Sequence, residues 1–279
     1  MTRIIFCFVL FALALGVIKY SSESAALNDA AARRLDLSSS TELAWKSFLE
    51  RFSFKLYRGA SDEKETLSAF YTEAKRKENI AKYCAFAFVA AVSVLLILRA
   101  PRSQNQWASA RREIAADLLW VALFSFLIGI AAPIMALKAY TSLPVLGTVI
   151  LNYESKSVIT ALSSLFGSGN WFIGVLIGMF SVILPILKTA ISFISLQSRK
   201  PRWANRASRV VKAIGKWSMA DVFVIAIFIA YFAIGSDDFS DAVAGLGLYF
   251  FSAYCLLAQA TTHYLLSAPD ISRVDEEQQ

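Results

Sequence analysis

Six apolar stretches of helix length constrain this chain more than any other feature. They are residues 4–18, 83–98, 118–137, 171–196, 222–234 and 246–266, and charged loops separate them. A helix that crosses the hydrocarbon core of a bilayer needs about 20 consecutive apolar residues. Hydrophobic residues make up 57% of the 279 positions. They are gathered into these runs rather than spread at the periods of a soluble protein, so the chain is read as an integral membrane protein. The first and fifth runs are short for a full crossing, which leaves their ends open. The expected fold class is an all-α polytopic membrane protein.

Charge between the runs predicts an orientation. Residues 197–216 carry seven Lys and Arg and no acid, and residues 99–112 carry four Arg and no acid. Such loops are retained on the cytoplasmic side. Residues 138–170 hold only Lys138, Glu154 and Lys156 as charges, while residues 236–245 hold Asp237, Asp238 and Asp241 and no base. These two loops are placed outside. The formal net charge of +7 is accounted for by the retention signals, so no nucleic-acid partner is implied. Residues 1–18 resemble a signal peptide, but no good small-x-small cleavage site follows them, and they are read as an uncleaved anchor. Residues 20–82 then fall outside. Leu43, Trp45, Phe48, Leu49, Phe52 and Leu56 are near helical spacing, and a break at Gly59 precedes a second helix running through Leu67, Phe70 and Tyr71 into the membrane.

Within the fourth run Gly174, Gly178, Ser181, Pro185, Lys188, Ser192 and Ser195 recur at steps of three and four, so they share one helix face. Small residues in such a stripe let another helix approach closely. Lys188 lies nine residues before Gln197, about 13 Å along a helix, and an ionisable group at that depth faces a bundle interior or a wet cavity. A second stripe joins Ser252, Cys255, Gln259, Thr262 and His263. A third contains only small residues: Ala122, Ser125, Gly129, Ala132 and Ala136. Pro133 follows it. Ser218 and Asp221 have the form of a variant capping box that starts the fifth helix. The same Asp221 is also placed to serve as counter-charge to Lys188.

The chemistry-bearing motifs are few. Cys7, Cys84 and Cys255 lie in or beside membrane runs with no CxxC, so neither a disulfide framework nor a zinc site is indicated. No phosphate loop, dinucleotide fingerprint, zinc-protease motif or nucleophile elbow is present. No enzyme and no cofactor are expected.

The phrase Gly215-Lys216-Trp217-Ser218-Met219-Ala220-Asp221-Val222-Phe223-Val224, a short acidic loop, and Gly245-Leu246-Gly247-Leu248-Tyr249-Phe250-Phe251 resemble the second half of the paraquat-inducible protein A family. Ala131-Ala132-Pro133-Ile134-Met135 and Leu184-Pro185-Ile186-Leu187-Lys188 resemble its first half, in the same order. The resemblance covers residues 118–266. It implies a four-helix transmembrane module with a small extracytoplasmic β element between its first two helices, with residues 134–140 and 145–153 as candidate strands. It also implies an inner-membrane protein that handles lipid with a mammalian-cell-entry (MCE) domain partner. Better-known members carry two modules, each preceded by a CxxC zinc ribbon; here there is one module, no ribbon and an added N-terminal hairpin.

The expected organisation is a transmembrane hairpin with an extracytoplasmic helical segment at 1–116, the four-helix module at 117–267 and a cytoplasmic tail at 268–279, with both termini cytoplasmic. The expected role is envelope lipid trafficking in the bacterial inner membrane. Two other readings stay open at this point: a tetraspan scaffold that stabilises a partner, and a small-solute or proton-coupled transporter.

Overall fold

The structure is a computed structural model that describes residues 2–34, 59–99, 107–143, 147–197 and 240–266. Its elements are α1 (Thr2–Arg34), α2 (Gly59–Arg99), α3 (Trp107–Ala131), β1 (Met135–Leu143), β2 (Gly147–Lys156), α4 (Val158–Gly167), α5 (residues 171–197), β3 (Ser240–Ala244) and α6 (Leu246–Leu266). Among the described residues four helical stretches are long and apolar enough to cross a membrane: Ile5–Arg33, Ser68–Arg99, Glu113–Ala131 and Trp171–Leu196. With 21 residues, α6 also has the length that a bilayer core requires. The chain is a multi-pass, all-α membrane protein with a small sheet at one end. The fifth run lies outside the described residues, as do the spacing pattern of Leu43 to Leu56 and the tail.

The first two helices are longer than their apolar runs. The 33 residues of α1 and the 41 of α2 span about 50 and 60 Å, against a hydrocarbon core of about 30 Å. Residues 19–34 continue α1 because they are rich in alanine and contain no Gly or Pro to stop it. The helices run antiparallel. A Cβ on Gly16 would meet the Cys84 sulfur at 3.3 Å, the Lys77 ammonium contacts the Glu23 carboxylate at 2.6 Å, and Ser24 Oγ donates to the Ala74 carbonyl at 2.9 Å. Lys77 also lies 5.5 Å from the centre of the Tyr20 ring. The polar halves thus zip into a stem beyond the apolar part of the pair.

At the centre of the bundle stands α3. One of its faces packs Val121, Phe124 and Ile128 with Leu10 and Val17 of α1, Phe88 of α2 and Phe250 of α6. Another packs Ala122 and Phe126 with Leu248, Phe251, Tyr254 and Cys255 of α6. A Cβ on Gly129 would sit 2.8 Å from the backbone nitrogen and Cα of Phe251, so α3 and α6 touch backbone to backbone. Pro133 ends α3, and its carbonyl accepts the Gly247 N–H at 2.9 Å while the Ile134 carbonyl accepts the Gly245 N–H at 2.8 Å.

The sheet has the order β2-β1-β3. Both neighbours run antiparallel to β1, with a bulge in the β1–β2 register between Ala139 and Tyr140. The predicted strands at 134–140 and 145–153 are therefore present, each extended at its C-terminal end. The third strand lies in the acidic loop. Pairing of β3 with β1 puts the loop before the fourth run and the loop before the sixth run at the same end of the bundle. β2 also packs on α1, so the stem shares that end, and the charge pattern's grouping of these three segments holds.

After β2, Ser157 caps α4: Ser157 Oγ accepts the Thr160 N–H, and Thr160 Oγ1 accepts the Ser157 N–H in return. With 10 residues, α4 is too short to cross. It reverses through Gly169, whose φ of 80° is in the left-handed region that glycine adopts at no steric cost.

Candidate functional site

The helix α5 is built in two halves joined by a wide turn. Residues Trp171–Gly178 and Leu184–Gln197 are α-helical, and Met179–Ile183 form a π turn. Pro185 supplies a reason, since its ring crowds the carbonyl four residues back and it has no N–H to give. Such bulges are the usual way a helix absorbs that conflict. The extra residue rotates the stripe read from the sequence. Upstream of the turn Gly174 and Gly178 face α4: their nearest outside atoms are the Phe166 ring at 3.0 Å and Leu162 Cδ2 at 3.6 Å from an added Cβ. Downstream, Pro185, Lys188, Thr189 and Ser192 are buried, and Phe193 meets the Trp120 ring of α3 edge-on at 5.0 Å.

This lower half creates a polar layer inside an apolar bundle. Lys188 is only 4% exposed, and Ser192, Thr189 and Tyr254 are buried as well. Tyr254 Oη of α6 donates to the Pro185 carbonyl at 3.0 Å. With that proton committed, Thr189 Oγ1 donates to Tyr254 Oη at 3.3 Å. A buried phenol needs such partners, and here they bind α6 to the helix that carries Lys188. The ring of Tyr254 packs on Phe126 of α3 with centroids 4.9 Å apart. An ammonium and several hydroxyls at membrane depth can take a phosphate or another polar headgroup, or can stabilise the bundle.

The other predicted residues fall as follows. Ser181 lies in the π turn and is half-buried, Gly129 is buried at the α3–α6 contact, and Pro133 is half-buried at the sheet junction. Asp221 and Ser218 lie outside the described residues, as does the side chain of His263. Gln259 is exposed, so the second stripe does not line the core there. The inward face of α6 is set instead by Leu248, Phe251, Tyr254, Cys255, Ala258 and Thr261. Ser252 Oγ donates to the Leu248 carbonyl of its own helix at 2.8 Å.

Sequence reasoning missed Thr189, Tyr254 and Asp117. Thr189 turns inward beside Lys188 in the half of α5 below the π turn. Tyr254 was legible as a phenol in the middle of an apolar helix. Asp117, near the middle of α3, is 7% exposed and pairs with Arg99 at 3.1 Å. Arg99 also reaches Glu113 at 2.9 Å. The sequence signal was an acid at the start of an otherwise apolar run. Among the described residues no group of three His, Cys, Asp or Glu converges to hold a metal.

Comparison with known proteins bears on the same segment that the sheet and polar layer define. A stretch of 138 residues, 47% of this chain, is 25% identical to a protein of Haemophilus influenzae named a probable intermembrane transport protein, and it covers 33% of that relative. The chain therefore spans about a third of the curated relative that it matches. No solved structure matches it. The family model for paraquat-inducible protein A matches residues 118–267, which take in the second half of α3, the three strands, α4, α5 and α6, and on that match over more than half its length the chain belongs to the paraquat-inducible protein A family.

Proposed function

We propose that this protein is an inner-membrane component of envelope lipid trafficking that works with an MCE-domain partner, without enzymatic activity of its own. The observation that carries the reading is the buried polar layer around Lys188, set in the segment that matches the family. A lipid headgroup moving through a bilayer interior needs polar company, while its tails can lie on apolar helix faces. The name of the Haemophilus influenzae relative, a probable intermembrane transport protein, agrees with this. The sheet end is extracytoplasmic in this reading and both termini are cytoplasmic, because the basic loops follow α2 and α5 at the other end. The first helix is retained as an anchor. Leu10 and Val17 are fully buried against α2 and α3, and cleavage would empty that part of the core.

The test pairs stability with cellular function. Asp221, which starts the next run, is the proposed counter-charge of Lys188. Lys188→Met should lower thermal stability in detergent by about 3–5 kcal/mol if it leaves that carboxylate buried without its partner. Lys188→Met combined with Asp221→Asn should restore stability but leave cells sensitive to detergent. Recovery of both measurements by the double variant would instead mark the pair as a lock within a scaffold. No effect of Lys188→Met on either would remove the site.

A further inference from the structure

Two cavities meet where the N-terminal hairpin joins the family module, and they differ in chemistry. The first is a polar chamber of about 300 Å³ at the sheet end. Ser21 and Asn28 of α1, Glu78 and Lys82 of α2 and Tyr153 of β2 line it. The second is an apolar groove of about 390 Å³ between Ala85, Phe86 and Val89 of α2 and Phe250 and Ala253 of α6. Lys82, Leu246 and Tyr249 border both. The groove runs from Lys82 to Val89 on α2 and from Leu246 to Ala253 on α6, about 10 Å along each helix. It opens sideways, since Phe86, Val89 and Tyr249 are exposed.

We infer that these joined cavities form a binding site for one zwitterionic phospholipid of the phosphoethanolamine class, entering from the leaflet on the sheet side. The vertical order is that of a lipid: charged groups at the headgroup level and an apolar slot directly beneath, leading toward the bilayer centre. Tyr249 stands between them, where aromatic side chains gather at membrane interfaces. The charges select the headgroup. Lys82 Nζ and Glu78 Oε1 lie 2.6 Å apart, and each side chain is half exposed. An i,i+4 pair of this kind is weak and exchanges partners readily. A phosphate bound at Lys82 and an ammonium bound at Glu78 would replace one ion pair by two. A headgroup that is only anionic would meet the Glu78 carboxylate. The deeper wall is already fixed, because Ser24 Oγ is committed to the Ala74 carbonyl and Asn28 Nδ2 to the Ser24 carbonyl at 3.1 Å. Tyr153 is buried and hydrogen-bonded to Asn28. The chamber is therefore preformed rather than assembled by its ligand.

This site draws its polar groups from the stem as well as from the family module, and it deepens the trafficking reading by naming a lipid class and an entry point. The full chain would be placed in nanodiscs of phosphatidylglycerol. A trace of phosphatidylethanolamine with a photoreactive group in its acyl chain would be added, or phosphatidylglycerol carrying the same chain. Labelling of the Phe86–Val89 and Tyr249–Ala253 peptides is expected to exceed labelling of the exposed Trp171–Leu176 face. The ethanolamine probe should be preferred over the glycerol probe by about two- to fivefold, the worth of a half-exposed ion pair. Lys82→Gln with Glu78→Gln should abolish that preference without changing the thermal midpoint. Ala253→Trp should block groove labelling by either probe. Should the tryptophan variant fail to fold, the paired glutamine variant decides alone. Equal labelling of groove and α5 face, or a preference that survives the glutamine pair, overturns the site. The assay needs neither partner nor transport. A labelled groove in a protein whose loss leaves envelope lipids unchanged would sink the trafficking reading alone, while an unlabelled groove beside a Lys188→Met transport defect would sink the site alone.

Discussion

The α3–α6 pair and the α4–α5 pair are both antiparallel helices whose sequences place glycines where they meet, yet the glycines do different work. At Gly129 the opposing atoms belong to the Phe251 backbone, which cannot move without moving α6. At Gly174 and Gly178 they belong to the ends of the Phe166 and Leu162 side chains, which can change rotamer. A small-xxx-small stripe therefore marks a face and leaves open how tight the contact is. Tightness follows from what lies opposite, and that is a property of the fold.

The largest expected effect breaks the tighter pair. Gly129→Ala puts a Cβ inside van der Waals contact with backbone and should cost about 1–3 kcal/mol, with leucine there costing more. Folded yield and thermal midpoint in detergent check it. Gly247→Ala should be comparable, because its Cβ would lie 2.4 Å from the Ala132 carbonyl oxygen. If either alanine is silent, α3 and α6 are farther apart than described.

Tyr254→Phe comes next in size. It removes the hydroxyl that serves both the Pro185 carbonyl and Thr189 while keeping the ring against Phe126. A loss of about 1 kcal/mol is expected, the usual net worth of a buried hydrogen bond. The same variant reports on the polar layer, since under the proposed function it should also lower envelope integrity. Gly174→Ala should cost less, for its added carbon meets the edge of the Phe166 ring at 3.0 Å, a side chain rather than the backbone met at Gly129.

Much of this was legible in the sequence, and the gaps have physical causes. The first four and the sixth apolar runs coincide with described helices, Pro144 separates the first two strands, and Pro185, Lys188 and Ser192 of the stripe in α5 are buried. β3 was not legible because five residues with an acid near their start carry almost no strand signal; β3 is a strand because β1 offers it an edge. α4 was hidden in an outer loop because a helix of 10 residues falls short of a crossing. The inward face of α6 was misread at Gln259 because polar residues were followed, whereas the large aromatic groups Phe251 and Tyr254 set the helix rotation. Tyr153 in β2 shows the same limit. Burial raises its phenol above the ordinary tyrosine range, against the opposing hydrogen bond to Asn28, and neither the burial nor a partner 125 positions away can be read from its strand.

The smallest effect sharpens the comparison most because its sign is reversed. A Cβ on Gly178 would meet Leu162 Cδ2 at 3.6 Å and Cδ1 at 3.9 Å, ordinary contact distances. It sits in helical conformation immediately before the π turn, with φ of −60° and ψ of −38°, so alanine fits without strain. Glycine within a helix costs about 0.5–1 kcal/mol relative to alanine because it orders a more flexible chain. Gly178→Ala should therefore stabilise the protein by up to about that amount, while Gly129→Ala, the same chemical change in the same kind of stripe, destabilises it. The two variants melted side by side in one detergent settle the matter. A loss at Gly178 as large as that at Gly129 would mean that α4 approaches α5 as closely as α6 approaches α3, and the distinction between the two pairs would fail.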